Sequence, residues 1–375
     1  MGFSLSQSLF SSNFLALSWG NLVMISIGLV LIFLAIVKEY EPVLLLPIGF
    51  GCVLANLGMA ATPTGEGFLS VLYRAGIESD LFPILIFIGV GGMIDFSPLL
   101  SQPYLALLGA AGQFGIYGTL LIATALGFPL NEAASISVIG AIDGPTAIFV
   151  ARKLAPNILA PIAVAAYSYM SLIPIIQPPV MKILTTKKER LIRMEYASRA
   201  VSKKALIIFP IMVTIIISIL APDAAPLIAA LMLGNLLKES GVVERLNQSA
   251  QNEIINIATL FLGLTIGATM TAESFLQVDT LLILGLGLLA FVMDTVAGLL
   301  FGKLMTFITG GKINPLIGAC GISAFPMAGR LSAKMAQDED FENFILMHAM
   351  GANTAGQLGS VIAGGLLLSL VVKFM

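Results

Sequence analysis

The sequence predicts an all-α integral membrane protein, and three observations lead to that fold class. Of its 375 residues, 58% are hydrophobic and only 11% are charged, whereas a soluble domain carries about 25% charged residues. The apolar residues occur in long runs, without the alternation of a transmembrane β-strand. Such a chain cannot cover its surface with polar groups in water, which excludes a soluble enzyme, a nucleic-acid-binding protein and a disordered chain.

Twelve apolar runs are candidate membrane segments, since a helix crosses a bilayer in about 20 residues. They lie at 21–37, 42–58, 81–95, 103–128, 132–153, 158–182, 205–221, 225–238, 254–270, 280–303, 312–330 and 344–372. The stretch before the first run, residues 1–20, contains no Lys or Arg, so we expect no cleavable signal peptide. The runs 132–153 and 312–330 are too rich in Gly, Pro and polar residues for a regular helix. Irregular backbone at membrane depth must be surrounded by protein or a cavity, so these two segments are predicted to be broken and re-entrant.

The basic residues set the orientation. Eight of the nineteen Lys and Arg residues lie in one loop: Lys182, Lys187, Lys188, Arg190, Arg193, Arg199, Lys203 and Lys204. The positive-inside rule makes this loop cytoplasmic. If 132–153 is re-entrant, Lys38 falls inside and the acidic loop 59–80 outside, with ten full crossings and both termini outside. If 132–153 crosses fully, everything before it inverts, which fits the charges less well.

The two broken segments also match each other. The block from Gly140 to Arg152 precedes the block from Gly318 to Arg330 by 178 residues, and both open Gly-Ala and end in Arg. Coincidence of small residues is the alternative explanation. Five crossings separate corresponding elements, and an odd number makes the halves antiparallel, as in transporters with inverted repeats. We therefore predict a first helix plus the first repeat at 1–182, a cytoplasmic basic loop and connecting helix at 183–221, and the second repeat at 222–375.

Four sequence blocks carry a family resemblance. They are GAIDGPTAIF at 140–149, YSYMSLIPIIQPP at 167–179, NPLIGA at 314–319 with Arg330, and HAMGAN at 348–353. Together they resemble the beta subunit of the biotin-dependent, sodium-pumping decarboxylases that act on oxaloacetate, methylmalonyl-CoA or glutaconyl-CoA. The likeness runs from about residue 20 to the C-terminus. It implies a fold that resembles elevator-type transporters, in the inner (cytoplasmic) membrane.

The resemblance also implies a division of labour between subunits. A carboxyltransferase moves CO2 from the acid onto biotin, a biotin carrier brings carboxybiotin to this chain, and a small membrane anchor subunit completes the complex. Carboxybiotin, which is not attached to this chain, then loses CO2, a proton is consumed, and Na+ is exported. The chain lacks both a biotin-attachment Met-Lys-Met tripeptide and a phosphate-binding loop ending in Gly-Lys-Ser/Thr. We also expect a homo-oligomer, for instance a trimer, and the choice of acid belongs to the soluble subunit.

Asp143 is the foremost candidate site residue. A carboxylate inside the membrane is expensive and usually functional, and Gly144 and Pro145 beside it break the helix. Burial favours the protonated carboxyl whereas a bound cation favours the carboxylate, so one residue could exchange a proton for Na+. The alternative is a structural carboxylate that caps a half-helix. The resemblance assigns a Na+ and proton role to Asp143.

Further site residues follow from the resemblance at Tyr169 and from the chemistry of the side chains elsewhere. Tyr169 is predicted to donate a proton or bind the ion, the alternative being a packed ring. Arg330 is predicted to hold the carboxylate of carboxybiotin, the alternative being an interfacial Arg that reaches water. Residues of the second half are predicted Na+ ligands, Ser323 being catalytic as well, and polar packing is the alternative for each: Asn314, Gly318, Ser323 and Asn353.

Two points remain open at the level of the sequence. Asp294 lies in the middle of the tenth run and matches no family role, so it is interpreted as a buried carboxylate hydrogen-bonded to Thr295 or a neighbour. The main rival function is a Na+-coupled organic-anion symporter, because fold does not fix function. A membrane scaffold without catalysis is a third class.

Overall fold

The computed structural model describes residues 17–62, 64–195, 201–324 and 326–374, and within these ranges every regular element is helical. The predicted all-α class is therefore confirmed. Arg199 of the basic loop lies outside the described residues. The α-helices, in chain order, are α1 Trp19–Val37, α2 Pro42–Leu54, α3 Phe68–Leu72, α4 Leu81–Met93, α5 Ser97–Ser101, α6 Leu105–Ala111, α7 Phe114–Ala125, α8 Leu130–Ser137, α9 Gly144–Leu154, α10 Leu159–Leu184, α11 Lys187–Arg190, α12 Lys203–Leu220, α13 Ala225–Ser240, α14 Glu244–Ser249, α15 Ile255–Ala268, α16 Ala272–Phe275, α17 Val278–Ile308, α18 Met327–Glu339 and α19 Leu346–Phe374.

Other helical turns join these elements. They are 3₁₀-helices at Val138–Ala141, Pro156–Ile158, Pro222–Ala224 and Pro315–Gly321, and π-helices at Ala55–Met59, Tyr73–Glu78 and Ala250–Ile254.

Seven helical segments in the described part of the chain are long and apolar enough to cross a membrane. They are Trp19–Val37, Pro42–Met59, Leu105–Ala125, Pro156–Leu184, Lys203–Leu220, Val278–Ile308 and Leu346–Phe374. An eighth is the pair Phe68–Glu78 and Leu81–Met93, if it forms one broken span. Two predicted crossings form shorter helices, of 16 residues in α13 and 14 residues in α15. The count of ten crossings therefore stays a prediction.

The chain forms two compact units. The first combines residues up to 82 with 257–282, and the second combines 83–256 with 283–375. Each unit takes segments from both halves of the sequence. The repeat boundaries at 182 and 222, which were drawn from sequence likeness, stay a prediction.

In the first unit, α2 and α15 are in backbone contact. A Cβ on Gly267 would lie 2.0 Å from the carbonyl oxygen of Ile48. Just past the end of α2, the Asn56 side chain donates to the carbonyl oxygen of Met270, with an N···O distance of 2.8 Å. Small residues thus let the two helices approach closely, as is common in membrane proteins.

The second unit contains a matching contact between α4 and α13. A Cβ on Gly91 would lie 1.9 Å from the carbonyl oxygen of Leu231. The Asn235 side chain donates to the carbonyl oxygen of Ile94, with an N···O distance of 3.0 Å. In both contacts the carbonyl that accepts from the asparagine lies three residues after the contact glycine, at Ile94 after Gly91 and at Met270 after Gly267.

Helix α17 contacts both broken segments, which belong to the second unit. Near its middle, a Cβ on Gly287 would lie 2.7 Å from the Ile139 side chain, in the 3₁₀-helix Val138–Ala141. Farther along, a Cβ on Gly298 would lie 2.2 Å from the carbonyl oxygen of Gly318, in the 3₁₀-helix Pro315–Gly321. This one helix therefore contacts both breaks.

Candidate functional site

The first broken segment places Asp143 at the start of α9. The 3₁₀-helix Val138–Ala141 ends at Ile142, whose φ of 51° is left-handed. A β-branched residue rarely adopts that conformation, so the backbone is strained where the helix breaks. Asp143 is then the N-cap of α9, and Pro145 occupies one of its first two positions, where a missing N–H costs nothing. The predicted break is present, and Asp143 also occupies the N-cap position that the alternative, structural interpretation named.

The Asp143 carboxylate is buried and surrounded by neutral donors. Its Oδ1 accepts from the backbone N–H of Thr146 at 3.4 Å, and its Oδ2 accepts from the Thr146 hydroxyl at 2.6 Å. Oδ2 also lies 3.2 Å from both Gln357 Nε2 and Ser360 Oγ of α19. No ion pair to Asp143 occurs among the described residues. A buried carboxylate without a counter-charge is strongly disfavoured, so this position suits a bound cation or a proton.

Ser323 brings the second broken segment to this carboxylate. Its Oγ lies 3.0 Å from Ser360 Oγ, and its backbone N–H donates to the carbonyl oxygen of Ala141 at 3.2 Å. Ser360 therefore bridges Asp143 and Ser323, and the two breaks are joined directly by backbone. Of the residues predicted from sequence, the structure brings Asp143 and Ser323 together.

Three buried amides hold the carbonyl groups of the second segment. Asn353 Nδ2 donates to the carbonyl oxygens of Ile322 at 2.7 Å and Cys320 at 3.3 Å. Gln113 and Gln177 likewise donate, to the carbonyl oxygens of residues 321 and 319. The amide oxygens of all three side chains are buried and have no hydrogen-bond partner among the described residues. Asn353 thus offers one free neutral oxygen near the break, as a cation ligand requires.

Asn314 is engaged elsewhere. Its Nδ2 donates to the carbonyl oxygens of Ile192 at 2.8 Å and Arg190 at 3.0 Å, in the basic loop, and its Oδ1 accepts from the N–H of Leu316. Asn343 donates to the same two carbonyls. These two amides clamp the basic loop onto the second segment, and among the described residues none of the hydrogen bonds of Asn314 reaches the Asp143 carboxylate.

Ion pairs strengthen the same clamp outside the membrane segments. Arg190 pairs with Glu339 at 2.7 Å, and Arg193 pairs with Asp340 at 2.7 Å. The hydrogen bond from Arg190 lowers the pKa of the Glu339 carboxyl, and that from Arg193 lowers the pKa of the Asp340 carboxyl. Both acids therefore stay ionised to lower pH than an unpaired carboxyl would.

The two tyrosines of α10 differ in their surroundings. The Tyr169 hydroxyl donates to the carbonyl oxygen of Leu284 in α17. Tyr167, which is not among the site residues predicted from the sequence, packs its ring against Gly144, where an added Cβ would lie 2.2 Å from the ring. The Tyr167 hydroxyl is buried with no hydrogen-bond partner in the described part of the chain. Of the two tyrosines, Tyr167 is therefore the one whose ring packs against Gly144, the residue next to Asp143.

Arg330 stands apart from these buried groups. It is the fourth residue of α18 and is exposed, as is Lys334 one turn later. Gly318 contacts Gly298 backbone to backbone and adds no side-chain oxygen. The structure therefore separates the predicted residues into a buried cluster around Asp143, an exposed cation, and residues that position the segments.

Sequence reasoning missed three polar contacts of the carboxylate: Thr146, Gln357 and Ser360. Thr146 had a signal, because a hydroxyl three residues after a capping Asp can bond the same carboxylate. Gln357 and Ser360 had a weaker one, as polar residues spaced i, i+3 in an otherwise apolar helix share one face. Nothing in the sequence says which carboxylate that face meets.

A buried carboxylate between two broken segments of a multi-helix membrane protein is the arrangement of an ion-coupled transport site. Residues 20–371 match the family described as the Na+-transporting oxaloacetate decarboxylase beta subunit. The chain belongs to this family, as the sequence resemblance predicted.

Individual relatives are similar in sequence to this chain over nearly its whole length. The chain is 51% identical to the glutaconyl-CoA decarboxylase subunit beta of Acidaminococcus fermentans, covering 96% of both chains. It is 52% identical to the methylmalonyl-CoA decarboxylase subunit beta of Veillonella parvula, covering 96% of this chain and 95% of the relative. It is 46% identical to the oxaloacetate decarboxylase beta chain of Klebsiella pneumoniae, covering 94% and 95%.

Proposed function

We propose that this chain is the membrane subunit of a sodium-exporting decarboxylase, which releases CO2 from carboxybiotin, consumes a proton and expels Na+. The observation that carries the proposal is the Asp143 carboxylate, which is buried among neutral donors from α9 and α19 and has no counter-charge among the described residues. A cation and a proton can each neutralise it, and they exclude one another. The family and its relatives, all decarboxylase beta subunits by name, disfavour the symporter alternative.

The roles of the site residues follow from their positions. Asp143 exchanges the proton and Na+, with Ser323 and the free amide oxygen of Asn353 as further ligands. Tyr169 supplies or relays a proton, and the exposed Arg330 holds the carboxylate of carboxybiotin from the aqueous side. Asn314 and Gly318 remain predicted ligands, while their contacts support a positioning role as well.

The remaining parts of the proposal concern the complex. Carboxybiotin arrives on a biotin carrier subunit, loaded by a carboxyltransferase subunit, and a small anchor subunit binds in the inner membrane. The apolar side chains of α12 are largely exposed, with Ile219 73% and Leu220 70% accessible. Such a surface suits lipid or a neighbouring subunit, which is consistent with a homo-oligomer such as a trimer.

We also propose the inverted repeats and the elevator-type architecture. The contacts of Asn56 with Met270 and of Asn235 with Ile94 support the repeat, because in each the accepting carbonyl lies three residues after the glycine that touches the partner helix. The two breaks, each a 3₁₀-helix followed within a few residues by an α-helix, support it further.

Cysteine accessibility tests the topology. A cysteine at Ser198, which lies outside the described residues, should react only with a reagent added from the cytoplasm. A cysteine at the exposed Asn157, between α9 and α10, should react only from outside. Labelling of both positions from one face would contradict the prediction that 132–153 is re-entrant, and with it the antiparallel arrangement of the repeats.

The Na+ dependence of decarboxylation tests the serine bridge. Ser360→Ala removes a hydrogen bond to the charged Asp143 and the link to Ser323, and hydrogen bonds to charged groups contribute about 1.5–3 kcal/mol. We expect the Na+ midpoint to rise about tenfold or more, and Ser323→Ala to raise it as well. Ser26→Ala, on the exposed face of α1, is the matched control. An unchanged midpoint in both site variants would remove Ser323 and Ser360 from the ion site.

A further inference from the structure

Asp294 is a second buried carboxylate that the site described above does not use. It lies in α17, and none of its surface is exposed. Its Oδ1 accepts from the backbone N–H of Gly115, at the start of α7. Its Oδ2 is buried and has no hydrogen-bond partner among the residues that the structure describes. The sequence interpretation is a buried carboxylate hydrogen-bonded to Thr295 or a neighbour. The structure provides such a bond, from Gly115, to only one of the two carboxylate oxygens.

The free oxygen faces the first broken segment. A Cβ on Gly140 would lie 2.9 Å from Asp294 Oδ2 and 2.9 Å from the Ala290 side chain. Gly140 is three residues before Asp143. The two buried carboxyl groups therefore flank the same break, one on each side of Ile142.

Cationic partners do not face Asp294 within the described residues. On its own helix, Lys303 binds the carbonyl oxygen of Leu184 and pairs with Glu189. The titratable residues on the packed elements are few. They are Tyr117 of α7, which lines a groove with α19, Tyr169 of α10, which donates to Leu284, Asp143 beyond the break, and Cys320 of the second segment, bonded to Ser332. An ionised Asp294 would thus carry an uncompensated negative charge, with only helix N–H groups to offset it.

A proton fits this position better than a metal ion does. Na+ needs several oxygen ligands around it, whereas Oδ2 has no hydrogen-bond partner among the described residues and faces Gly140, which has no side chain that could offer a ligand. A proton needs no coordination shell. Two further hydroxyls, of Thr295 and of Thr119 one turn after Gly115, are also buried without a partner among the described residues, and such groups can relay a proton.

We propose that Asp294 is a proton-binding site of the pump, which holds the proton consumed when carboxybiotin loses CO2. This inference rests on the proposed function. In the step, the N–CO2 bond breaks, its electron pair stays on the biotin nitrogen, and that nitrogen takes one proton. Asp294 passes from carboxylic acid to carboxylate and regains its proton from solvent. The Tyr169 hydroxyl donates to the carbonyl oxygen of Leu284, which also belongs to α17. The two groups that carry protons in the proposal, Asp294 and Tyr169, are thus connected to the same helix.

Infrared difference spectroscopy and turnover on the assembled complex test the proposal. Wild type should show a protonated-carboxyl band that is lost in Asp294→Asn and at high pH. The band should survive in Asp279→Asn, an exposed residue near the start of the same helix. Asp294→Asn should slow carboxybiotin breakdown about 10²-fold, the lower range for a positioned proton donor, with its pH profile altered and its Na+ midpoint unchanged.

Two results would overturn it. The first is a wild-type rate and pH profile in Asp294→Asn, which would make Asp294 a helix cap. The second is a spectrum in which Asp294 is always ionised, or responds to Na+ but not to pH. If Asp294→Asn fails to assemble, the band is sought in the Asp143→Asn complex, where it should persist and its absence would refute the proposal. Failure of the proposed function would appear separately, as absence of carboxybiotin breakdown in wild type.

Discussion

Asp143→Asn is expected to abolish both Na+ export and carboxybiotin breakdown while the complex still assembles. Asn is as good an N-cap as Asp, so the start of α9 and the bond from the Thr146 N–H can persist. What is lost is the charge that a cation or a proton neutralises. The groups around it, Gln357 and Ser360, would then face a neutral amide. We expect a loss of more than about 10²-fold in each activity.

Both activities are measured on one reconstituted sample, as 22Na+ uptake into inverted vesicles and as CO2 release. Asp338→Asn, an exposed acid on α18, is the matched control and should behave as wild type. Near wild-type Na+-dependent decarboxylation in Asp143→Asn would contradict the assignment of this carboxylate.

Gly318→Ala is expected to reduce the amount of folded subunit, because the second segment touches α17 through backbone alone. A Cβ on Gly318 would lie 2.1 Å from the carbonyl oxygen of Gly298, and neither backbone can move without disturbing the break. Overpacking a tight contact costs about 1–3 kcal/mol, and this contact belongs at the upper end.

The measurement is the thermal stability and yield of the detergent-solubilised complex. The matched control is Gly285→Ala. Gly285 lies on α17, where an added Cβ meets nothing within 4 Å, so this variant should leave the thermal stability and the yield unchanged. A stable Gly318→Ala complex with a raised Na+ midpoint would instead favour a direct ligand role for the Gly318 carbonyl.

The breaks were predictable because their causes are local. Gly144 and Pro145 interrupt a helix wherever they occur together, and a carboxylate beside them becomes its N-cap. The all-helical class followed in the same way from composition. These features depend on neighbours in the chain, which a sequence displays.

The partners of the site were less predictable because they come from distant segments. Ser360 and Gln357 reach Asp143 across more than 200 residues of chain, and only packing decides which face of α19 meets it. Asn314 shows the reverse case. Its sequence block predicted an ion ligand, which stays a prediction, and the structure shows that its amide also holds the carbonyls of the basic loop. An amide near a break serves either purpose, and its type alone does not distinguish them.

The free energy needed to export Na+ limits the mechanisms that this site can use. Moving one Na+ outward against roughly 150 mV costs about 3–4 kcal/mol before any concentration difference is counted. The sequence has no ATP-binding motif, so in the proposed function the work comes from the loss of CO2. CO2 release must then depend on Na+ at Asp143.

Carboxybiotin decay with and without Na+ measures that dependence directly. The complex is loaded with ¹⁴C-carboxybiotin in Na+-free buffer, and the remaining label is followed after Na+ is added over a range of concentrations. The label should persist without Na+ and decay with a saturable Na+ dependence, and Arg330→Ala should slow the decay even at saturating Na+. Decay at the same rate with and without Na+ would contradict the coupling and would put the symporter hypothesis first.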